Sequence, residues 1–248
     1  MHYGIIGFPL SHSFSEKYFT NKFQTEGILG CDFKLFPIKE ISELPELLKT
    51  NILSGFSVTI PYKEKILNFL DDIDETAQKI GAVNCVKVDY DAVNKPFLIG
   101  YNTDIFGFSM SIKPFLASQH ERALILGTGG ASKAVKYVLD ELGIQSTFVS
   151  RLPQISNCAS YEMLNKNAIK NNLLIINTTP VGMFPHTFEK PNIPYEFLTK
   201  QHLLFDLIYN PVETEFLKEG KKYGTLVENG MNMLALQAEK AWEIWNAQ

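Results

Sequence analysis

A lysine, a carboxylate and a glycine-rich loop follow one another along the chain in an order that suits hydride transfer. Lys63 comes just after a β-rich run, Asp104 follows later, and Gly127-Thr-Gly129-Gly130 lies between a predicted strand and a predicted helix. Reduction of a ketone by hydride leaves an alkoxide, which a nearby ammonium group can protonate and stabilise. The order predicts an oxidoreductase in which Lys63 exchanges a proton and Asp104 orients Lys63 or holds a substrate hydroxyl.

Each of these residues also has an ordinary structural explanation. Lys63 could be a surface lysine near a helix start, and Asp104 could cap the helix that follows it. Ser13-x-x-Glu16 has the pattern of a capping box. The hydroxyls of Ser13 and Ser15 could instead bind a substrate carboxylate. Spacing alone leaves both explanations open.

The glycine-rich loop has the features of a dinucleotide-binding site. Gly127 permits a tight turn after a buried-type strand, and Gly129 lets the backbone approach a pyrophosphate. The N-terminus of the next helix supplies unpaired N–H groups for the same anion. Ser132 at the third small position weakens the match, so a plain glycine turn is the alternative.

The end of the next predicted strand indicates which dinucleotide binds. An NAD site usually has an acidic residue about 20 residues beyond the loop, where it accepts a hydrogen bond from the ribose. Here the strand ends in Ser150-Arg151 without an acid. A guanidinium can bind a 2′-phosphate. We therefore expect NADP(H) rather than NAD, with a solvated surface arginine as the alternative for Arg151.

Strands and helices alternate along the chain, which predicts an α/β protein with largely parallel sheets. Strands are expected at 3–6, 33–37, 56–60, 83–88, 97–101, 123–126, 147–150, 173–177 and 203–208. Helices are expected at 14–26, 42–50, 63–70, 104–117 and 130–142. Apolar residues from Met231 to Trp245 recur at helical spacing, which predicts a C-terminal helix that buries one face.

Composition argues against several other classes of function. A chain of 248 residues can form one large or two modest domains, and its net charge of -4 argues against binding to nucleic acid or an anionic membrane. The N-terminus does not read as a signal peptide, and no apolar run approaches the ~20 residues of a membrane helix. Cys31, Cys85 and Cys158 are an odd number without a Cys-x-x-Cys pair, which favours free thiols in the cytoplasm. The histidines have no metal-ligand spacing.

Eight ordered sequence blocks, spread over almost the whole chain, resemble those of the shikimate dehydrogenase family. They are Gly7-x-Pro9-x-x-His12-Ser13-x-Ser15, Gly55-Phe56-x-Val58-Thr59-x-Pro61-x-Lys63-Glu64, Gly81-Ala-Val-Asn84, Asn102-Thr-Asp104-x-x-Gly107, Gly127-x-Gly129-Gly130-Ala131, Asn177-Thr-Thr-Pro-x-Gly182-Met183, Asp206-x-x-Tyr209-x-Pro211 and Gly230-x-x-Met233-Leu234-x-x-Gln237. The resemblance implies reversible NADPH-dependent reduction of 3-dehydroshikimate to shikimate, in the route to chorismate and aromatic amino acids.

The resemblance also implies roles for individual residues. Lys63 and Asp104 would be the catalytic pair. The substrate would contact Ser13, Ser15, Thr59, Lys63, Asn84, Asp104, Tyr209 and Gln237. The cofactor would contact Gly127, Thr128, Gly129, Gly130, Ala131, Ser150, Arg151, Leu207 and Gly230. No metal is implied.

The fold that the resemblance implies is a two-domain α/β architecture. Residues 1–101 and 231–248 would form the N-terminal α/β substrate-binding and catalytic domain, and residues 102–230 a Rossmann-type NADP-binding domain. The C-terminal helix would return to the first domain and carry Gln237 into the substrate pocket. The protein would be a cytoplasmic monomer or homodimer that binds shikimate and 3-dehydroshikimate.

A few positions depart from the family pattern, and other functions remain open. Arg151 lacks the second basic residue that often follows it in the family, which predicts weaker selectivity for NADP. Ser57 stands where asparagine is frequent, and Glu16 replaces a common proline. The alternatives are an NAD-dependent quinate/shikimate dehydrogenase, a non-catalytic dinucleotide sensor and a methylene-tetrahydrofolate-type dehydrogenase. The last of these would not need the Ser13 and Ser15 motif.

Overall fold

The computed structural model describes residues 1–10, 13–152 and 157–247, which form two compact units. Unit 1 consists of Met1–Thr103 and Gln237–Gln248, and unit 2 of Asp104–Leu236. Each unit has its own six-stranded sheet. His12, in the first of the sequence blocks above, lies outside the described residues.

The sheet of unit 1 is mixed. Its strands lie in the order β2-β1-β3-β5-β6-β4 and are β1 (His2–Ile6), β2 (Asp32–Phe36), β3 (Gly55–Val58), β4 (Asp72–Ile73), β5 (Cys85–Tyr90) and β6 (Pro96–Tyr101). β5 is antiparallel to both β3 and β6, and the remaining pairs are parallel. The expectation of a largely parallel sheet therefore holds for only part of unit 1.

The antiparallel pairing of β5 with β6 has a local cause in the turn between these two strands. The Asp91 carboxylate accepts hydrogen bonds from the backbone N–H groups of Val93 (2.9 Å) and Lys95 (2.8 Å). This arrangement closes a short turn, so that β6 runs straight back along β5. A parallel neighbour would have needed a helical crossover.

The described part of unit 1 contains three complete α-helices: α1 (Phe14–Thr25), α2 (Leu44–Thr50) and α3 (Glu75–Ile80). The helix predicted at 63–70 is instead a short 3-10 helix at Lys65–Phe69, which leaves Lys63 in the preceding turn. α3 was not predicted. Its N-cap is Asp74, whose carboxylate accepts from two backbone N–H groups of the first turn.

An aromatic cluster joins α1, the sheet and the C-terminal end of the chain in unit 1. Tyr3, Phe19 and Phe33 pack with Trp245, whose indole N–H donates to the Val86 carbonyl oxygen (3.0 Å). A β-carbon at Gly55 would overlap this indole ring. The glycine is therefore required for the indole to pack against the middle of the sheet.

The sheet of unit 2 is parallel throughout. Its strands are β7 (Arg122–Leu126), β8 (Gln145–Ser150), β9 (Cys158–Ser160), β10 (Leu174–Asn177), β11 (Leu203–Asp206) and β12 (Leu226–Glu228). They lie in the order β9-β8-β7-β10-β11-β12. Numbered from β7, this is the 3-2-1-4-5-6 order of dinucleotide-binding folds, which confirms the predicted Rossmann-type domain. β7, β10 and β11 are almost fully buried, as central parallel strands are.

The helices of unit 2 are α4 (Asp104–Ile112), α5 (Gly130–Glu141), α6 (Lys166–Asn171) and α7 (Glu215–Lys222). The final helix, α8 (Met231–Asn246), begins in unit 2 and continues into unit 1 from Gln237 onward. The predicted return of the C-terminal helix to the first domain is confirmed. Within residues 1–10, 13–152 and 157–247, no helix has the length and apolar character needed to span a membrane.

Two buried histidines brace loops of unit 2. His202 accepts the Thr199 backbone N–H at Nδ1 (3.1 Å), and its Nε2 lies 3.1 Å from the Ile169 carbonyl oxygen. His120 likewise accepts a backbone N–H at Nδ1, and its Nε2 lies 3.2 Å from the Gln201 carbonyl oxygen. Each ring therefore uses one nitrogen as acceptor and the other as donor, which is the pattern of a neutral imidazole.

Candidate functional site

The two serines of the first sequence block lie at the start of α1. The Ser13 hydroxyl oxygen accepts from the Ser15 backbone N–H (3.2 Å), so Ser13 caps the helix, and both serines are buried. The cap uses Ser13 only as an acceptor. Its O–H group can still donate to a ligand, and structural and binding roles are compatible at this position.

Backbone hydrogen bonds join the segments that follow β1 and β3. The Thr59 N–H donates to the Ile6 carbonyl oxygen, and the Phe8 N–H donates to that of Ile60, both at 3.0 Å. Thr59 is half-buried at the end of β3. The first block and the Thr59 segment are thereby held at the same edge of the unit 1 sheet.

Lys63 is held by its backbone next to the start of β5. Its carbonyl oxygen accepts from the Val83 N–H (2.8 Å), and the neighbouring Asn84 carbonyl oxygen accepts from the Val58 N–H (2.8 Å). The Lys63 side chain is half-buried. These bonds bring the Lys63 backbone beside that of Asn84, another predicted substrate residue.

Asn84, Thr103 and Gln237 form a buried polar cluster in unit 1. Asn84 Oδ1 accepts from the Thr103 backbone N–H (2.7 Å), and Thr103 Oγ1 lies 3.1 Å from Asn84 Nδ2 and 3.3 Å from Gln237 Oε1. Asn84 Nδ2 and Gln237 Oε1 are 3.4 Å apart. Neutral amide and hydroxyl groups of this kind can bind the hydroxyls of a polyol.

Thr103 was not singled out from the sequence, although it lies between Asn102 and Asp104 in a matched block.

Asp104 is the first residue of α4, and its side chain is buried. An acidic residue in the first turn is favoured by the helix dipole, so its position alone does not require a catalytic role. Tyr209 is half-buried and follows β11 in unit 2.

The glycine-rich loop of unit 2 lies where the sequence predicts it, between β7 and α5. Gly127 has a φ of 113°, a conformation that favours glycine. Gly129 is the N-cap of α5, and apart from its own neighbours in the chain no heavy atom of the described residues lies within 4 Å of the place where its β-carbon would be. Ser132 is buried, and its hydroxyl donates to the Gly129 carbonyl oxygen (2.6 Å), which explains a serine at the third small position.

The strand next to the loop ends at Ser150 and Arg151. Ser150 pairs with Ser160 of β9, and Arg151 is exposed directly after the strand. Burial raises the pKa of Tyr161, and the positive charge of Arg151 opposes this rise. The backbone of Arg151 therefore follows the carboxyl end of β8, beside the carboxyl end of β9.

Leu207 and Gly230, predicted from the resemblance to line the cofactor site, are adjacent in unit 2. A β-carbon at Gly230 would overlap the Leu207 carbonyl oxygen. The Leu207 N–H donates to the Asn177 carbonyl oxygen (3.0 Å) at the end of β10. The carboxyl edge of this sheet thus brings Leu207 and Gly230 together beside β10, the strand next to the one that leads into the glycine loop.

A cavity of about 590 Å³ lies elsewhere in unit 1. Its lining includes Leu44, Leu48, Phe69, Tyr90 and Pro96 and none of the predicted site residues. Tyr90 is at the opposite end of β5 from Asn84. This cavity is therefore separate from the polar cluster.

Among the described residues, no group of three or more His, Cys, Asp or Glu side chains could hold a metal ion.

Comparison with known proteins gives one consistent family. Residues 5–86 match the family model described as the shikimate dehydrogenase substrate binding domain. The shikimate dehydrogenase (NADP(+)) of Clostridium beijerinckii is 40% identical, with 98% of this chain and 91% of the relative covered. That of Methanosphaera stadtmanae is 35% identical over 99% of this chain and 91% of its own length.

A solved structure supports the same relationship. Shikimate 5-dehydrogenase from Thermus thermophilus, solved in complex with NADP(H) and shikimate, superimposes with a TM-score of 0.85 at 30% identity. The superposition covers 99% of this chain and 93% of that one. The similarity therefore extends through both units.

Proposed function

The chain belongs to the shikimate dehydrogenase family, and from this premise we propose that it catalyses the reversible NADPH-dependent reduction of 3-dehydroshikimate to shikimate. The reaction places it in the route to chorismate and the aromatic amino acids. The observation that carries the proposal is the buried cluster of Asn84, Thr103 and Gln237, because uncharged donors and acceptors suit a ring with several hydroxyl groups.

Unit 2 has the features needed to hold NADP(H). The open space at Gly129, the N-terminus of α5 and the order of the strands suit a pyrophosphate at the glycine loop. Residues that would line the cofactor site are Gly127, Thr128, Gly129, Gly130, Ala131, Ser150, Arg151, Leu207 and Gly230. Arg151 would contact the 2′-phosphate. When bound, the cofactor supplies or accepts the hydride.

The side chains of this chain would bind the substrate and move the proton. Ser13 and Ser15 hold the substrate carboxylate with their hydroxyls, and Thr59, Asn84, Tyr209 and Gln237 contact the ring. Lys63 donates a proton to the developing alkoxide during reduction and accepts it during oxidation. Asp104, the other member of the catalytic pair, accepts a hydrogen bond from Lys63 or from a substrate hydroxyl. It thereby orients the groups between which the proton moves.

The domain roles follow from the same premise. We assign substrate binding to residues 1–101 and 231–248, and NADP binding to residues 102–230. The division into units 1 and 2 and the match of the substrate-domain model to residues 5–86 support this assignment. We further propose a cytoplasmic monomer or homodimer, consistent with three free cysteines.

The experiment that tests the function follows nicotinamide absorbance with shikimate as substrate and NADP⁺ or NAD⁺ in parallel. We expect rapid shikimate-dependent reduction of NADP⁺. Comparable rates with NAD⁺ and with quinate would move the protein to the quinate/shikimate branch. A folded protein that binds NADP⁺ without any turnover would contradict the enzymatic assignment and favour a dinucleotide sensor.

A further inference from the structure

A buried carboxylate at the carboxyl end of β11 has no role in the mechanism above. Asp206 is fully buried and accepts three hydrogen bonds, from the Ile208 N–H (3.0 Å), the Asn177 side-chain amide (3.0 Å) and the Thr214 hydroxyl (2.6 Å). Burial raises the pKa of Asp206 to about 7, and the three hydrogen bonds oppose this rise. A carboxylate is costly to bury, so its presence calls for a function.

One hydrogen bond of Asp206 connects it to the loop after β10. Asn177 is the last residue of β10 and lies directly beside Asp206 in the register of the two strands. Asn177 Oδ1 accepts from the Thr179 N–H (3.1 Å) and the Thr179 hydroxyl (2.6 Å). Asp206 Oδ1, which also accepts from the Ile208 N–H, holds the NH₂ group of Asn177 on its side, and the amide oxygen of Asn177 therefore faces Thr179.

The segment that Asn177 holds forms one wall of the glycine loop. Thr178 donates to the Leu126 carbonyl oxygen from both its backbone N–H (3.0 Å) and its hydroxyl (2.7 Å). A β-carbon at Gly127 would lie 2.7 Å from Thr178 Oγ1 and 3.0 Å from Thr179 Cγ2. The contacts therefore run without a gap from Asp206 to the turn of the glycine loop.

We propose that Asp206 is a positioning residue for the dinucleotide, acting through Asn177 to hold Thr178 and Thr179 against Gly127. β7 and β10 flank the point where the strand order reverses, and ligands of such sheets bind at the carboxyl edge at this point. A shift of the Thr178 segment would change the shape of the loop that receives the pyrophosphate. The inference rests on the proposed function only in taking NADP(H) as the dinucleotide.

The other side-chain bond of Asp206 supplies a structural control. The Thr214 hydroxyl donates to Asp206 Oδ2 and accepts from the Leu217 N–H (3.4 Å), so Thr214 is the N-cap of α7. Thr214→Val keeps the shape of the side chain and removes the hydroxyl that makes these two bonds. The change should destabilise α7, while Asn177 keeps its bond to the other oxygen of Asp206, Oδ1.

The test measures NADP⁺ binding by isothermal titration calorimetry and thermal unfolding in parallel. For Asp206→Ala we expect the Kd for NADP⁺ to rise about tenfold or more, because the buried oxygen that accepts from the Asn177 amide is lost. Asp206→Asn retains an oxygen that can accept from Asn177, and its Kd should stay within about threefold of that of the unaltered protein. Thr214→Val should lower the Tm and leave the Kd within about twofold.

Asn177→Ala removes the same connection from its other end and should raise the Kd as Asp206→Ala does. The double variant should then bind about as weakly as Asn177→Ala alone, since both changes break one path. If Asp206→Ala does not fold, Asn177→Ala alone tests the same connection.

Either of two results would overturn the inference: unchanged NADP⁺ binding in folded Asp206→Ala or Asn177→Ala, or an equal loss of binding in Thr214→Val. The second would mean that weakened binding only reports a destabilised unit 2. If the unaltered protein binds no NADP⁺, the proposed function fails as well. If it binds NADP⁺ and oxidises shikimate while these variants bind normally, only the role of Asp206 is refuted.

Discussion

Replacement of Thr103 by valine tests whether the polar cluster of unit 1 binds the substrate. Valine keeps the shape of threonine, and its backbone N–H can still donate to Asn84 Oδ1. The lost hydroxyl lies 3.1 Å from Asn84 Nδ2 and 3.3 Å from Gln237 Oε1, and all three residues are buried. The change therefore removes one hydrogen-bond partner from Asn84 and one from Gln237, while the contact between these two residues and the main bond that orients Asn84 remain.

The magnitude follows from these contacts. A buried polar group that loses its partner costs about 1–3 kcal/mol, and the surviving backbone bond favours the lower half of this range. We expect a loss of about 1–2 kcal/mol, seen as a decrease in Tm of about 2–8 °C for a chain of this size. If the cluster holds ring hydroxyls, kcat/KM for shikimate should fall by about 5- to 30-fold, with KM for NADP⁺ unchanged.

Steady-state kinetics of shikimate oxidation and thermal unfolding would be measured together, with Ser111→Ala as the control. Ser111 is also buried, but its hydroxyl donates to the Gly107 carbonyl oxygen within α4 of unit 2 (2.7 Å). The control should leave KM for shikimate unaltered. A Thr103→Val enzyme with kcat/KM within about twofold of the original value would refute substrate binding by this cluster.

The remaining predictions concern the proton donor, cofactor selectivity and pH. Lys63→Ala should keep its Tm and lose about 10²–10⁴ in kcat, the usual scale for a general acid–base; turnover within a few fold in the steady-state assay would remove Lys63 from the mechanism. Arg151→Ala should weaken NADP⁺ by about 10- to 150-fold and NAD⁺ little, because one charge-assisted contact to the 2′-phosphate is lost; equal losses in calorimetric titrations would disprove the assignment. Burial lowers the pKa of His120 and His202 below 6.5. The unfolded chain then binds more protons, so the free energy of unfolding should fall as pH drops below about 6.5. Urea unfolding at several pH values should show a smaller fall for His202→Gln, and an unchanged slope would contradict this explanation.

The strong periodic and glycine signals were enough to predict most of the architecture. β7, the glycine turn and α5 lie close to their predicted bounds, because a buried strand, Gly127 and an amphipathic helix are all local features. α3 was missed because its six residues span less than two turns and show little periodicity. The 3-10 helix after Lys63 was extended to 63–70 because the apolar spacing there does not distinguish helix types.

The parts of the site that were missed depend on contacts between residues far apart in the chain. Thr103 becomes notable only because β6 and α8 bring it to Asn84 and Gln237. Asp206 was visible as part of a motif, but its connection to the glycine loop passes through Asn177 on a neighbouring strand. No spacing along the sequence encodes such a path, since it exists only after the strands have paired.

Because of the course of α8, the order in which synthesis of the two units begins differs from the order in which each unit is complete. Unit 2 is one unbroken stretch of chain, and all its strands have been made before α8 begins. Unit 1 is interrupted, and its aromatic cluster needs Trp245, which is synthesised after all of unit 2, to fill the space above Gly55. Synthesis of unit 1 begins before that of unit 2, but unit 1 is the second of the two to have all its residues. Until α8 has been made, Tyr3, Phe19 and Phe33 lack one of their packing partners, and the apolar surface that Trp245 covers is not yet covered by it.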